Sequence, residues 1–207
     1  MGAILQAMFV PVRIYNGVSD FDEVAKQGRT GLAPRLREQP GFRAYHLVRC
    51  DDGSLRSMSC FDTEEQSEAA YGVTRDWVVS NLARLVPNTP TILTGEVTQQ
   101  GAIPKEDGYG SYVSFQSAKG AAPKSQAVPV SREKIIPEIM KDPGIRGFYP
   151  FRDTSDESHL VSVAFFKDQA DATRIHDRIW ELMRERAPEI YPNKPTWVGG
   201  READLTP

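Results

Sequence analysis

The alternation of apolar and polar residues predicts six elements in the first half of the chain, in the order β-α-β-β-α-β. These elements are a strand over 8–15, a helix over 21–38, strands over 42–49 and 55–61, a helix from 62 to about 85, and a strand over 91–97. Ser19 or Asp20 is suited to cap the first helix, and Asp62 with Glu65 predicts the start of the second. The segment from Asp51 to Ser54 predicts a hairpin turn, because its glycine relieves the positive φ that such turns require.

The second half of the chain predicts the same order of elements. They are a strand over 112–118, a helix over 131–140, strands over 145–152 and 160–166, a helix over 168–186, and a strand over 196–201. The loop of the second hairpin is expected to be two residues longer than that of the first. The split β-α-β pattern is typical of a four-stranded antiparallel sheet with both helices on one face.

Residue identities support a duplication. The segment Pro40 to Tyr45 (PGFRAY) recurs 103 residues later as Pro143 to Phe148 (PGIRGF), and Trp77 recurs at the same shift as Trp180. A unit this long indicates a duplicated domain, since solenoid repeats span only about 20–50 residues. We therefore expect a first domain over 1–98, a linker over 99–110 and a second, diverged domain over 111–207.

The fold class that follows is α+β, with two tandem ferredoxin-like (βαββαβ) domains. Each predicted sheet has helices on one face only, and the cheapest cover for its other face is the sheet of the partner half. We expect the two sheets to pack together as an intramolecular version of a dimeric α/β barrel.

Composition narrows the classes of function. The chain has 207 residues, 40% of them hydrophobic and 26% charged, as is ordinary for a globular protein. A net charge of −3 argues against a nucleic-acid partner, since phosphate binding requires a basic face. The sequence shows no long apolar run and no signal peptide, and two cysteines cannot form a secreted-type disulfide framework. We expect a cytoplasmic protein with no membrane partner.

Several segments of the first half resemble the antibiotic-biosynthesis-monooxygenase-like (ABM-like) domains of the dimeric α/β-barrel superfamily. The resemblance lies in Pro40-Gly41-Phe42, the first hairpin, the Phe61-Asp62 step, and the stretch from Arg75-Asp76-Trp77-Val78 to Gly95-Glu96-Val97. Some members of that family are cofactor-independent monooxygenases of phenolic polyketides or quinols, others degrade haem, and many have no known reaction. The resemblance implies the fold firmly and the chemistry weakly, since one fold supports many functions.

A candidate pocket follows from an assumed pairing of the first hairpin. If Cys50 pairs with Leu55, then His46 lies opposite Ser59, and alternation places both on one face of the sheet. Small residues, Ala44 and Ser57, share that face and leave room beneath a helix. The second half places Tyr149 at the position of His46.

Three interpretations of these rings remain open. They are buried and hydrogen-bonded, they line a substrate pocket, or, least favoured, His46 ligates a metal. No second histidine or cysteine stands at ligand spacing near His46, so no metal site is predicted. Trp77 and Trp180 lie in apolar stripes of their helices. Such stripes usually face a core, so core packing is the first interpretation and a ligand site the second. His176 and Tyr71 are further candidates for pocket walls.

The enzyme hypothesis is a cofactor-independent monooxygenase acting on a small phenolic, quinol or polyketide-like substrate. His46 is the candidate base, Ser59 orients it, and Tyr71 or Trp77 holds the substrate ring. The alternatives are a non-catalytic or stress-associated protein that binds a small aromatic molecule, and a structural duplication with a filled core. No cofactor is expected, and the chain is expected to be a monomer with pseudo-dimeric halves or a homodimer.

Overall fold

A computed structural model describes residues 8–97, 111–205 and the backbone of 101–102. The chain divides into two compact units. Among the described residues, the first unit comprises 8–96 and 201–205, and the second comprises 97, 101–102 and 111–200. The C-terminal segment 201–205 thus groups with the first half of the chain, although the sequence analysis placed it in the second domain. The predicted linker, 99–110, lies outside the described residues except for 101–102.

The first unit contains the predicted βαββαβ repeat. Its elements are β1 (Met8–Tyr15), α1 (Phe21–Gln27), a π-helical turn (Gly28–Leu32), α2 (Ala33–Arg37), β2 (Phe42–Cys50), β3 (Leu55–Phe61), α3 (Glu64–Leu82) and β4 (Thr91–Val97). The strands stand in the order β4-β1-β3-β2, and β1 and β2 both run antiparallel to β3. A core forms between the helices and one face of this sheet, around Leu36, Leu47 and Trp77.

The second unit repeats the architecture. Its elements are β5 (Gly101–Ala102), β6 (Tyr112–Ala118), α4 (Lys124–Val130), a π-helical turn (Ser131–Ile135), α5 (Ile136–Ile139), β7 (Ile145–Asp153), β8 (Asp156–Phe166), α6 (Gln169–Arg186) and β9 (Thr196–Glu202), whose last residues belong to the first unit. The strand order is β9-β6-β8-β7-β5. The core lies around Ile139, Phe166 and Ile179. The α+β class and both repeats are confirmed.

The π-helical turns mark a shared detail of the two repeats. Each follows the first helix of its unit, and the turn of the second unit begins 103 residues after that of the first. In the first unit the turn contains Gly31, where an added Cβ would lie only 2.6 Å from the ring of Trp77. Glycine is therefore required for Trp77 to pack against this turn.

Helix starts differ from the prediction at one cap. Asp20 caps α1 by accepting a hydrogen bond from the backbone N of Glu23 at 3.0 Å, as expected. The prediction of Asp62 as the cap of α3 is wrong, since Thr63 accepts from the backbone N of Gln66 at 3.3 Å. The carboxylate of Asp62 instead accepts a hydrogen bond from Arg43, across the first hairpin.

Two further predictions are corrected in the second unit. The helix expected over 131–140 begins at Lys124, because Pro129 lies inside α4 rather than before the helix. The second hairpin has a short turn at residues 154–155, since Asp153 pairs with Asp156, and a register shift follows it. The residues expected to form the longer loop belong instead to the two strands, whose pairing is irregular next to the turn. No helix in the described part of the chain is long and apolar enough to cross a membrane.

Candidate functional site

The register of the first hairpin differs by one residue from the assumed pairing. Leu55 lies opposite Arg49 rather than Cys50, so His46 lies opposite Met58, and Ser59 lies opposite Tyr45. Because side chains alternate between faces, this shift places His46 and Ser59 on opposite faces of the sheet. The prediction that they share a pocket is wrong.

The turn explains the shift. The backbone N of Cys50 donates to the carbonyl of Ser54 at 2.9 Å, so the hairpin closes one residue earlier than assumed. Gly53 adopts a φ of 80°, the left-handed conformation typical of a three-residue hairpin loop with a bulge. Asp52 fixes this loop by accepting from the backbone N of Ser54 at 2.9 Å.

Ser57 and Ser59 lie on the helix-facing side of the sheet, and there they meet a buried arginine. Arg13 of β1 pairs across from Ser57 and is only 3% exposed. Its Nη1 donates to the hydroxyl of Ser59 at 3.2 Å, and its Cζ lies 5.8 Å from the centre of the Tyr71 ring. The small residues and Tyr71 were predicted from the sequence as parts of a site, whereas the cation between them was not.

Beside Arg13 lies a cavity of about 320 Å³ between β1, α3 and the segment that follows α3. We call it the Arg13 cavity. Its polar and aromatic lining consists of Arg13, Tyr15, Tyr71, Thr74, Arg75 and Asn88. Its apolar lining comes chiefly from Val78, Val79, Val86, Pro87 and Pro90. A concave apolar wall with a few convergent polar groups is the usual form of a small-molecule site.

Burial controls the ionisation of the phenols around Arg13. It raises the pKa of Tyr15 above its ordinary value, although the positive charge of Arg13 acts in the opposite direction. Burial likewise raises the pKa of Tyr45, against the effect of Arg13 and of a hydrogen bond with Ser57. Both hydroxyls are therefore protonated at neutral pH and able to donate hydrogen bonds.

His46 occupies a different environment. Its Nδ1 lies 2.6 Å from Oε1 of Glu202, and both residues are buried. Ala203 follows Glu202 and donates its backbone N to the carbonyl of Leu47 at 2.8 Å. The histidine thus helps to hold the C-terminal segment against β2, and it does not line the Arg13 cavity. Ala44 shares its face of the sheet.

The remaining predicted site residues of the first unit divide between cavity and core. Tyr71 is 39% exposed and lines the Arg13 cavity. Trp77 is buried in the core, where it borders a hollow of only about 20 Å³ together with Tyr15. Of the two interpretations of Trp77, core packing therefore agrees with the structure.

In the described part of the chain, the predicted site residues of the second unit line none of the hollows of known volume. Tyr149 lies opposite Val163 and packs edge-to-face on Phe165 at 5.7 Å. Nε2 of His176 lies 2.8 Å from the Ser114 hydroxyl, and its ring stacks on Trp197 at 4.5 Å.

Burial lowers the pKa of His176 to about 4, so the ring is neutral at physiological pH. Trp180 is partly buried against the core of the second unit. A hollow of about 40 Å³ in this unit is lined by other residues, among them Ser131, Phe148 and Tyr191.

None of the three hollows described above fits haem. An axial histidine needs a ring nitrogen directed into a cavity large enough for the macrocycle. Nε2 is engaged by Ser114 in His176 and by Ser117 in His159, whereas in His46 it is Nδ1 that contacts Glu202. None of these histidines lines the three hollows. Within the described residues, no group of three His, Cys, Asp or Glu side chains is placed to hold a metal ion.

The sequence carried one signal for Arg13 that the analysis did not use. The strand MFVPVRIY contains a single charged residue, and its neighbours are buried on both faces of the sheet. A lone cation in an otherwise apolar strand is expected to be buried together with that strand. Because charged residues are rarely buried without a partner, such a cation marks a candidate site.

Comparison with known proteins shows a likeness of fold without a likeness of sequence. No protein-family model matches the chain, and no curated protein matches it. A proposed monooxygenase of Fusobacterium nucleatum matches with a TM-score of 0.73 at 7% identity, over 97% of this chain and 94% of that one.

An anthrone oxidase-like protein matches with a TM-score of 0.64 at 11% identity, over 96% of this chain and 92% of that one. A chlorite dismutase from Candidatus Nitrospira defluvii matches with the same TM-score and identity over the same shares of the two chains. These matches span both repeats. The chain therefore has the same duplicated ferredoxin-like α+β fold as these three proteins.

Proposed function

We propose that the first unit binds a small aromatic molecule in the Arg13 cavity and oxidises it with molecular oxygen, as a cofactor-independent monooxygenase of phenolic substrates. The observation that carries the proposal is the cavity itself. Its volume of about 320 Å³ falls in the range of small-molecule sites, which is about 300–1,000 Å³. Tyr71 supplies an aromatic wall, and Val78 and Val86 supply apolar ones.

The reaction needs no redox group because the substrate supplies the electrons. In an anthrone-type substrate, a ring CH2 loses both hydrogens, one oxygen atom becomes its carbonyl oxygen, and the other leaves as water. The protein has to orient the ring, exclude water and stabilise the oxyanion of the deprotonated substrate. The protonated hydroxyl of Tyr15 is a donor for that oxyanion.

Two of the three structural neighbours named above carry descriptions that imply oxygen chemistry. They are the proposed monooxygenase of Fusobacterium nucleatum and the anthrone oxidase-like protein. Their identities of 7% and 11% do not carry any residue across, so the assignment of roles rests on the cavity alone.

A second candidate function is binding without catalysis. It is favoured by the lining of the Arg13 cavity, which includes no histidine, aspartate or glutamate among the described residues. An oxygenase with this lining has to release the proton of its substrate to solvent water, whereas a binding protein needs no base. His46 cannot supply the base here, because it lies on the other face of the sheet.

The test combines a binding measurement with an oxygen electrode. Dithranol, a dihydroxyanthrone, is titrated into the protein by calorimetry, and oxygen consumption is then followed at saturating ligand. Tyr71→Ala removes the aromatic wall and should weaken binding at least tenfold. Tyr149→Ala, in the second unit, is the matched control and should leave binding unchanged.

The outcomes separate the two functions. Saturable binding together with oxygen uptake that Tyr71→Ala abolishes supports the monooxygenase. Binding without uptake supports the binding protein. If dithranol and related phenols do not bind, or if Tyr71→Ala changes nothing, the proposal is overturned.

A further inference from the structure

We propose that the ligand of the Arg13 cavity is an aromatic carboxylate, and that the guanidinium of Arg13 binds its carboxylate group. This inference rests on the proposed function, because it assumes that the cavity holds a ligand. It specifies the charge and shape of that ligand, which the fold leaves open.

The first argument is the charge balance of Arg13. A guanidinium stays charged in proteins, and Arg13 is 3% exposed. Within the described residues, no carboxylate forms an ion pair with Arg13, and the cavity lining includes none. Its contacts are the neutral hydroxyl of Ser59 and the face of Tyr71. Burying a charge without an opposite charge is costly, so this site favours an anion.

The guanidinium edge of Arg13 that carries Nε has the geometry to bind a carboxylate. Nη1 donates to Ser59, whereas Nε is buried and has no hydrogen-bond partner among the described atoms. The Nε–H and the neighbouring Nη2 form the side of the guanidinium that binds a carboxylate through two parallel hydrogen bonds. A planar carboxylate fits this edge better than a single phenolic oxygen does.

The third argument is a comparison of the repeats. Arg13 lies opposite Ser57 in β3, and the corresponding pair in the second unit is Gln116 opposite Ser162. There the Ser162 hydroxyl donates to Oε1 of Gln116 at 2.9 Å, so a neutral pair satisfies the site. The charge therefore occurs in the repeat that has the large cavity, and a sheet of this design does not require it.

Other arginines of the chain show what a structural guanidinium looks like here. Arg174 pairs with Asp142 and Asp171, with Nη2–Oδ1 distances of 2.9 and 2.7 Å. Arg75, which also lines the cavity, pairs with Asp76 at 2.8 Å, and its side chain is 58% exposed. Arg75 lines the cavity and is therefore unsuitable as a control. Arg49, whose Cζ lies 5.6 Å from the centre of the Phe21 ring and which does not line the cavity, is the matched control.

The rest of the cavity fits the aromatic part of the ligand. The ring of Tyr71 stands beside the guanidinium, and apolar side chains of α3 and of the segment after it form the other wall. A fused bicyclic ring is of a size that a cavity of about 320 Å³ accommodates. Naphthoate combines such a ring with a carboxylate, and naphthamide substituted at the same position is its neutral counterpart.

The experiment measures binding of naphthoate, naphthamide and naphthol to the full chain by calorimetry at pH 7. We expect naphthoate to bind at least tenfold more tightly than the other two. Arg13→Gln, which installs the residue type of the second repeat, should weaken naphthoate at least tenfold and leave naphthamide within threefold. Arg49→Gln, outside the cavity, should change naphthoate binding by less than threefold.

A thermal measurement separates a ligand site from a structural cation. If Arg13 serves to bind an anion, Arg13→Gln should keep or raise the Tm of the ligand-free protein. Naphthoate should raise the Tm of the wild type only. A large fall in the Tm of ligand-free Arg13→Gln would assign Arg13 a structural role and overturn the inference.

The remaining outcomes distinguish this inference from the proposed function. Equal binding of naphthoate and naphthamide, both weakened by Tyr71→Ala, would keep the cavity as a ligand site and overturn the carboxylate. Preference for naphthol over naphthoate would identify a phenol as the ligand and also overturn it. If none of the three compounds binds, and dithranol does not bind, the ligand site itself is overturned.

Discussion

The two repeats share a fold and differ in what lies beneath their second helix. In the first repeat, a charged arginine and a cavity of about 320 Å³ lie between β1 and α3. In the second, His176 of α6 bonds to Ser114 of β6 and stacks on Trp197. Because side chains fill the corresponding space in the second repeat, the open space in the first repeat supports the proposed ligand site.

The repeats also differ on the other face of their sheets. His46 pairs with Glu202, whereas Tyr149, at the equivalent position, packs on Phe165. One face of the first unit thus holds a buried acid–histidine pair, and the same face of the second unit holds an aromatic pair. These two differences can be tested separately, because each rests on a few side chains.

The largest effect is expected from His46→Ala. This change leaves the buried Glu202 carboxylate without its histidine partner, which costs about 3–5 kcal/mol of unfolding free energy. Tyr149→Ala, its counterpart, removes only ring packing and should cost less. Chemical denaturation followed by circular dichroism measures both, and a smaller loss for His46→Ala than for Tyr149→Ala would contradict the comparison.

Trp197→Ala should cause the next largest loss of stability. It removes the ring on which His176 stacks at 4.5 Å and opens space in the filled repeat, at a cost of about 3 kcal/mol. The same substitution should create a hollow that takes up an apolar probe, observable as a Tm increase with benzene or indole. If Trp197→Ala is neutral, the second repeat is not filled in the way described.

A pH effect should follow from His176. Burial lowers the pKa of His176 from 6.5 to about 4, so the native state disfavours the protonated ring that the unfolded chain accepts. The stability conferred by the neutral ring is present above pH 6.5 and is lost as the pH falls toward 4.

We expect a decrease of about 3 kcal/mol across this window. His176→Gln should flatten the dependence of the unfolding free energy on pH over the same range. An identical pH profile for the wild type and for His176→Gln would show that the ring is not the titrating group.

The smallest effects are expected at two helical glycines. Gly31→Ala places a Cβ 2.6 Å from the Trp77 ring and should cost about 1–2 kcal/mol through overpacking. Gly72→Ala, in α3, meets no atom within 4 Å and should stabilise the protein by about 0.5–1 kcal/mol. Two thermal melts measure the pair, and equal signs for the two substitutions would contradict the packing described for Trp77.

Sequence reasoning found much of the fold and only part of the site. Strands β1, β3, β4 and β6 have the predicted bounds, since apolar runs bounded by turn residues define strands well. Tyr71, Ser57 and Ser59 do lie at or beside the Arg13 cavity. The assumed pairing of His46 with Ser59 failed because a single residue of register decides the face of every side chain in a strand.

What the sequence by itself determined is the duplication, the order of elements and the α+β class, because apolar periodicity and turn residues act locally. The tertiary structure decided the hairpin register, the contacts of Arg13 and the position of the cavity. These depend on how a glycine-containing turn closes and on which side chains of distant segments meet beneath α3. Such contacts are set by packing across the unit, and no local pattern in the chain encodes them.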